Sequence, residues 1–186
     1  KDDLKKQVPC PKQNHDTAVL FALGQSNVAN HGEYKFTTNH PGKVVNYFNG
    51  KCFVASSPLL GSTNMNGEFI TPLADNLIER GLYKYIVIIS SGIGATKISR
   101  WQQGGDINNL LVKVISELKN KYNVTQVIWH QGESDSGKEE TAKIYEQQLH
   151  AMVNAWQWDL NGGDIPIVVG EMGRFYKRAK FKHVVD

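Results

Sequence analysis

The chain of 186 residues is 40% hydrophobic and 21% charged, with a formal net charge of +3. That balance supports one packed domain and excludes a wholly disordered chain. The scattered lysines lack the dense basic stripe of a nucleic-acid binder, and the longest apolar runs, YIVII and IPIVV, fall far short of the ~20 residues a membrane helix needs.

Residues 1–16, KDDLKKQVPCPKQNHD, are polar with two prolines and read as an extended N-terminal arm, leaving residues 17–186 as the folded domain. The run AVLFAL (18–23) has the continuous apolar character of a buried parallel strand. KVVNYF (43–48) is a weaker strand candidate. TPLADNLIERG predicts a helix with Thr71 as N-cap, Pro72 at the first helical position and Gly81 as the stop. YIVIISSG (85–92) is the clearest strand. In DINNLLVKVISELKNKY, Leu110, Leu111, Val114, Ile115 and Leu118 are expected on one helical face. VTQVIWHQG (124–132) reads as a strand. GKEETAKIYEQQLHAMVNAWQWDL reads as one long helix with a stripe of Tyr145, Leu149, Met152, Val153 and Trp156. IPIVVGEMG (165–173) is the last strand. Alternating strands and helices predict a three-layer α/β/α domain on a parallel sheet.

Cys10 and Cys52 lack the CxxC spacing of a metal site. In an oxidising compartment they can pair and tie the arm to the second strand region; in the cytosol they would remain thiols. Lys1 in place of an initiator methionine suggests a chain that has lost a signal peptide, hence a secreted or periplasmic location.

Open α/β sheets bind ligands beyond the carboxyl ends of their strands. Here those ends carry GQSNVANHG, SSGIGATKISRW, HQGESDSG and GEMGRF. Ser26, on the turn after the first strand, is either a turn-capping serine or a nucleophile whose own N–H faces a bound carbonyl oxygen. Gln131 can donate a hydrogen bond to an oxyanion, an interaction worth roughly 3–4 kcal/mol in a transition state. Gly94 allows close backbone approach, while GIGATK lacks the spacing and ending of a phosphate loop.

GQSN (24–27), GATKISRW (94–101) and WHQGESD (129–135) resemble the signature blocks of the SGNH/GDSL hydrolase superfamily. More narrowly, they resemble its sialate O-acetylesterase-like branch, which includes the acetylxylan esterases of carbohydrate esterase family six. The resemblance covers residues 17 to 175. It implies a flavodoxin-like α/β/α fold and hydrolysis of acetyl esters on a carbohydrate such as sialic acid or xylan, through an acyl-enzyme, with no cofactor and no metal. It implies Ser26 as nucleophile, an oxyanion hole built from the Ser26 amide, the amide of Gly94 or Ala95 and the Gln131 side chain, and Glu133 as an organiser of the catalytic histidine. Asn27 is expected to fix the turn, and Arg100 and Trp101 to line the sugar side. The expected partner is the acetylated carbohydrate, with neither nucleic acid nor membrane; oligomeric state is open.

The family's general base is a histidine in a D-x-x-H arrangement beyond the last strand, and no D-x-x-H follows GEMGRFYKRAKFKHVVD. His183 lies in the right region, with Asp186 three residues on, the reverse of the expected order. His15 lies in the arm with no argument for it, and His31 and His40 follow the nucleophile turn and can reach the rim. His150 is expected half-exposed on the long helix beside its apolar stripe, and alternation points His130 away from the face of Gln131. A chain ending before its D-x-x-H segment is the other expectation. A non-catalytic carbohydrate-binding protein on the same fold is the alternative function.

Overall fold

The computed structural model describes residues 5–160, 165–172 and 181–185, with the side chains of Trp158, His183 and Val184 outside that description. Its frame is a seven-stranded sheet in the order β1-β4-β3-β5-β2-β6-β7. The strands are β1 (Gln7–Val8), β2 (Thr17–Gly24), β3 (Val44–Phe48), β4 (Lys51–Val54), β5 (Tyr85–Gly92), β6 (Gln126–His130) and β7 (Ile167–Val169). β2, β3, β5, β6 and β7 run parallel. β4 and β1 extend the sheet antiparallel at one edge. Two residues of the N-terminal segment expected as an arm, Gln7 and Val8, belong to the sheet. β4 escaped notice because KCFV is short and follows β3 through a two-residue Asn49–Gly50 turn, both residues with positive φ. That is the chemistry of a tight hairpin.

Alternation along β2 explains the two-sided core. Val19, Phe21 and Leu23 face one layer, and Ala18, Leu20 and Ala22 the other. The first layer holds α2 (Asp106–Leu118) and α4 (Tyr145–Leu160), whose Ile107, Leu111, Ile115, Met152 and Trp156 are buried there. The second holds α1 (Ile70–Glu79), through Ile70 and Ala74. Each such aliphatic or aromatic side chain withdrawn from water contributes about 1.5–3 kcal/mol. Helices on both faces make three layers.

Several local expectations shift. Leu110 is 55% exposed, so the buried stripe of α2 runs through Ile107, Leu111, Ile115 and Leu118 instead. α1 begins before Thr71, because the Glu68 carboxylate accepts the Thr71 N–H at 2.9 Å and serves as the acceptor expected of the threonine. Gly81, with φ +70, does end it. Leu82 N donates to Leu77 O and Gly81 N to Ile78 O, the paired bonds of a glycine-terminated helix. The long helix is broken at Ile144 into α3 (Glu139–Lys143) and α4. The last strand spans Ile167–Val169, and Gly173 lies outside the described residues.

Cys10 and Cys52 are disulfide-bonded, so the arm is fastened to β4. Tyr122 OH donates to Pro11 O at 2.7 Å and adds a second anchor. Burial, with Tyr47 beside it, pushes the Tyr122 phenol up to about 12, so it remains a donor.

Candidate active site

β2 lies between β5 and β6, and the chain's later strands are added on both sides of it. Its carboxyl end is therefore a topological switch point, where an α/β sheet opens a crevice. Gly24 ends β2 with φ +142, and a Cβ there would lie 2.1 Å from His130 O. Only glycine permits this approach, which lets Gln25 N donate to His130 O at 3.0 Å. Residues 26–30 are turns rather than the start of a long helix. Ala29 N bonds Gln25 O and Ser26 O, and His31 N bonds Ser26 O at 3.3 Å. Ser26 sits on this turn half-buried, and neither its hydroxyl nor its N–H has a hydrogen-bond partner among the described residues.

Gln131 is buried beneath that turn. Its amide nitrogen lies 2.7 Å from Thr96 O, 2.7 Å from Asp135 Oδ2 and 3.2 Å from Gln25 Oε1. One NH2 group has two protons, so both are already committed to interior acceptors. As placed, Gln131 joins the loops after β2, β5 and β6, and an oxyanion contact would require releasing one of these bonds. Tyr145 fixes the same residue from below, donating to Gln131 O at 2.8 Å while accepting the Trp129 indole N–H at 3.1 Å. Asp135 also accepts Ile98 N at 3.0 Å. Burial raises its pKa above 3.8, opposed by the Gln131 and Ile98 hydrogen bonds and by Lys97.

The Gly94 amide is occupied, donating to Thr63 Oγ1 at 3.2 Å. The neighbouring Ala95 has φ +57, an uncommon value for a residue with a Cβ. Its N–H has no partner among the described residues. Ser26 N–H and Ala95 N–H are thus open donors at this rim among the described residues. His31 touches the same loop, since a Cβ on Gly94 would meet His31 Nε2 at 2.8 Å.

Glu133 reaches the turn through Asn27, whose Nδ2 lies 3.4 Å from Glu133 Oε1 and 3.4 Å from His130 Nδ1. Glu133 Oε2 is buried without a partner among the described residues. Asn27 is exposed and lines a groove with His130.

The sugar-lining expectation for Trp101 fails. Its ring is fully buried, donates to Thr96 Oγ1 at 3.0 Å and packs edge-on against Trp129 at 5.2 Å. Arg100 is held by a two-point pair with Asp106, at 3.0 and 2.5 Å.

His183 lies on the backbone of α5 (Lys182–Val185), and its side chain is outside the described residues, as is Asp186. α5 is seated on the loop that carries Glu133. Phe181 N donates to Ser136 O at 2.9 Å, and a Cβ on Gly132 would meet Val185 Cγ1 at 2.8 Å. His15 and His40 sit at the amino ends of strands beside Asp16 and Glu79, and His150 pairs with Glu146 on α4. No described histidine side chain hydrogen-bonds the Ser26 hydroxyl. Among the described residues no group of three or more His, Cys, Asp and Glu side chains is disposed to hold a metal ion. None of the described helices is long and apolar enough to cross a membrane.

A family model for carbohydrate esterases, described as sialic acid-specific acetylesterase, matches residues 16–186. The chain belongs to this esterase family. No curated protein matches it. Among solved structures, a protein of Arabidopsis thaliana is similar at a TM-score of 0.74 and 18% identity, over 90% of this chain and 78% of that one. NanS is similar at 0.68 and 19%, over 91% and 71%. A carbohydrate acetylesterase from Xanthomonas citri is similar at 0.59 and 18%, over 90% of this chain but 46% of that one. At these identities the structures establish the shared α/β fold. Family membership points to a carbohydrate acetylesterase, a carboxylic ester hydrolase.

Proposed function

We propose that the chain is a serine esterase that removes O-acetyl groups from carbohydrates through an acyl-enzyme on Ser26. The observation that carries this reading is a half-exposed serine at the switch point of the sheet, its N–H open and a second open N–H on Ala95 in the adjoining loop. In the reaction, Ser26 Oγ attacks the acetyl carbonyl and gives its proton to a histidine. The tetrahedral oxyanion is held by the two amides, and collapse expels the sugar alcohol, which takes the proton back. Water, activated by the same histidine, then releases acetate.

His183 is proposed as that histidine. Support comes from the docking of α5 against the Glu133 loop and from the unpartnered Glu133 Oε2, a buried acceptor suited to an imidazole N–H. Gln131 supports the hole from beneath, holding Gln25 and Thr96 on either side of it. The disulfide favours an oxidising compartment and so an extracytoplasmic site of action.

Labelling with a fluorophosphonate probe tests the reading. Mass mapping should place the adduct on Ser26, and His183→Ala should slow labelling by about two orders of magnitude or more. Unlabelled Ser26 in folded protein favours the second reading, a sugar-binding protein without catalysis. One observation speaks for that reading: no described side chain hydrogen-bonds the Ser26 hydroxyl.

A further inference from the structure

On the α1 side of the sheet, next to Asn27, lies a groove of about 390 Å³. This is within the size range of small-ligand sites. Its walls carry three exposed aromatic rings. Tyr34 is 69% exposed, Phe36 40% and Phe69 36%. The loops that bear them are pinned rather than free. Gly32 and Gly67 exchange both backbone hydrogen bonds, at 2.8 and 2.9 Å. A Cβ on Gly67 would lie 1.6 Å from Tyr34 O, so the two loops meet at a contact that only glycine allows. Phe36 is fastened to Ser57 at both its N–H and its C=O. Phe69 leans on His130, centroids 6.1 Å apart, and His130 touches Asn27.

Apart from His130, the ionisable side chains that line the groove are acidic. Glu33 is exposed at its mouth, whereas Glu68 is buried in the wall with both oxygens engaged by Ser57 Oγ and Thr71 N–H. Among the described residues that line it there is no lysine or arginine. A sugar acid brings a carboxylate that needs a cationic partner. Here it would face carboxylates instead. A neutral pyranose has the opposite fit: its C–H face packs on the electron-rich faces of aromatic rings, and its hydroxyls donate to Glu33 and Asn27.

We infer that this groove is the subsite for the ring of a neutral O-acetylated sugar, with Tyr34 and Phe69 as stacking walls and Glu33 selecting against acidic sugars. The inference rests on the esterase reading for the ester that reacts, and concerns a family whose printed description names an acidic sugar.

The test is calorimetric titration of the Ser26→Ala chain with a mono-O-acetylated methyl xylopyranoside and with O-acetylated N-acetylneuraminic acid. Binding of the neutral ester should be at least about tenfold tighter than that of the acidic one. Tyr34→Ala and Phe69→Ala should each weaken the neutral ligand by about tenfold. Glu33→Gln should narrow the gap between the two ligands, most at low ionic strength. Equal or tighter binding of the acidic sugar overturns the inference, as does unchanged binding in both aromatic variants. Tighter binding of a long-chain acyl ester than of the sugar also overturns it, in favour of an acyl pocket. Turnover of a small acetyl ester, measured alongside, reports on the esterase reading alone. Its absence with neutral-sugar binding intact would remove that reading and leave the subsite.

Discussion

Gln25 and Gln131 meet side chain to side chain beneath Ser26, with Gln131 Nε2 3.2 Å from Gln25 Oε1. Both are buried, and the same Gln25 oxygen also accepts Ser134 N–H at 3.3 Å. The contact ties the residue before the candidate nucleophile to the loop that carries Glu133. Gln131→Leu would keep the volume and remove the donor from Gln25, Thr96 O and Asp135. Stranding a buried acceptor costs about 1–3 kcal/mol, so urea denaturation should show a loss of at least that size. Lost turnover with unchanged stability would instead return Gln131 to the oxyanion.

Gly24→Ala should be worse. Its Cβ would be driven to 2.1 Å from His130 O, on backbone that cannot retreat without breaking β2 from β6. A substitution of this kind belongs to the damaging tail, about 4 kcal/mol or more. The expected result is failure to give a cooperative thermal transition at ordinary temperature.

Asp135 gives the pH prediction. Burial raises its pKa above 3.8, so the folded chain holds this proton more tightly than the unfolded chain does. The contribution to stability is therefore fullest below 3.8 and is lost as pH rises through the raised value. The stability of the native chain minus that of Asp135→Asn should fall over that interval. Denaturation series for both proteins at stepped pH check the sign; a difference that grows with pH contradicts it.

The Cys10–Cys52 bridge closes a sequence separation of 42 residues. In the chain-entropy account a loop of that size is worth about 4 kcal/mol. Cys10→Ala with Cys52→Ala should lower the melting temperature by roughly ten degrees or more, measured by calorimetry at neutral pH. Because β1 and β4 form an edge remote from Ser26, esterase activity at low temperature should survive in the folded fraction.

Much of the frame was legible because parallel strands buried on both faces read as unbroken apolar runs, as Tyr85–Gly92 does to the residue. The site was legible in part. The alternation that turns Val127 and Trp129 inward also turns Gln131 inward, and the alternation of Phe21 and Leu23 does the same for Gln25. That period, carried past the strand ends, would have shown both glutamines facing the same layer. Trp101 was misread because a tryptophan in a loop block looks like a ligand platform, whereas here it fills the core beside Trp129. The exposed aromatics Tyr34 and Phe69 left no local signal: they are brought to one groove by the pairing of Gly32 with Gly67, across a separation no periodicity reports.

The most direct test of the central claim is hydrolysis of a chromogenic acetyl ester by the native chain beside Ser26→Ala. The account predicts turnover that falls by about three orders of magnitude or more in the variant, with an unchanged melting temperature. Equal rates in the two proteins, or no turnover by well-folded native chain, would contradict it.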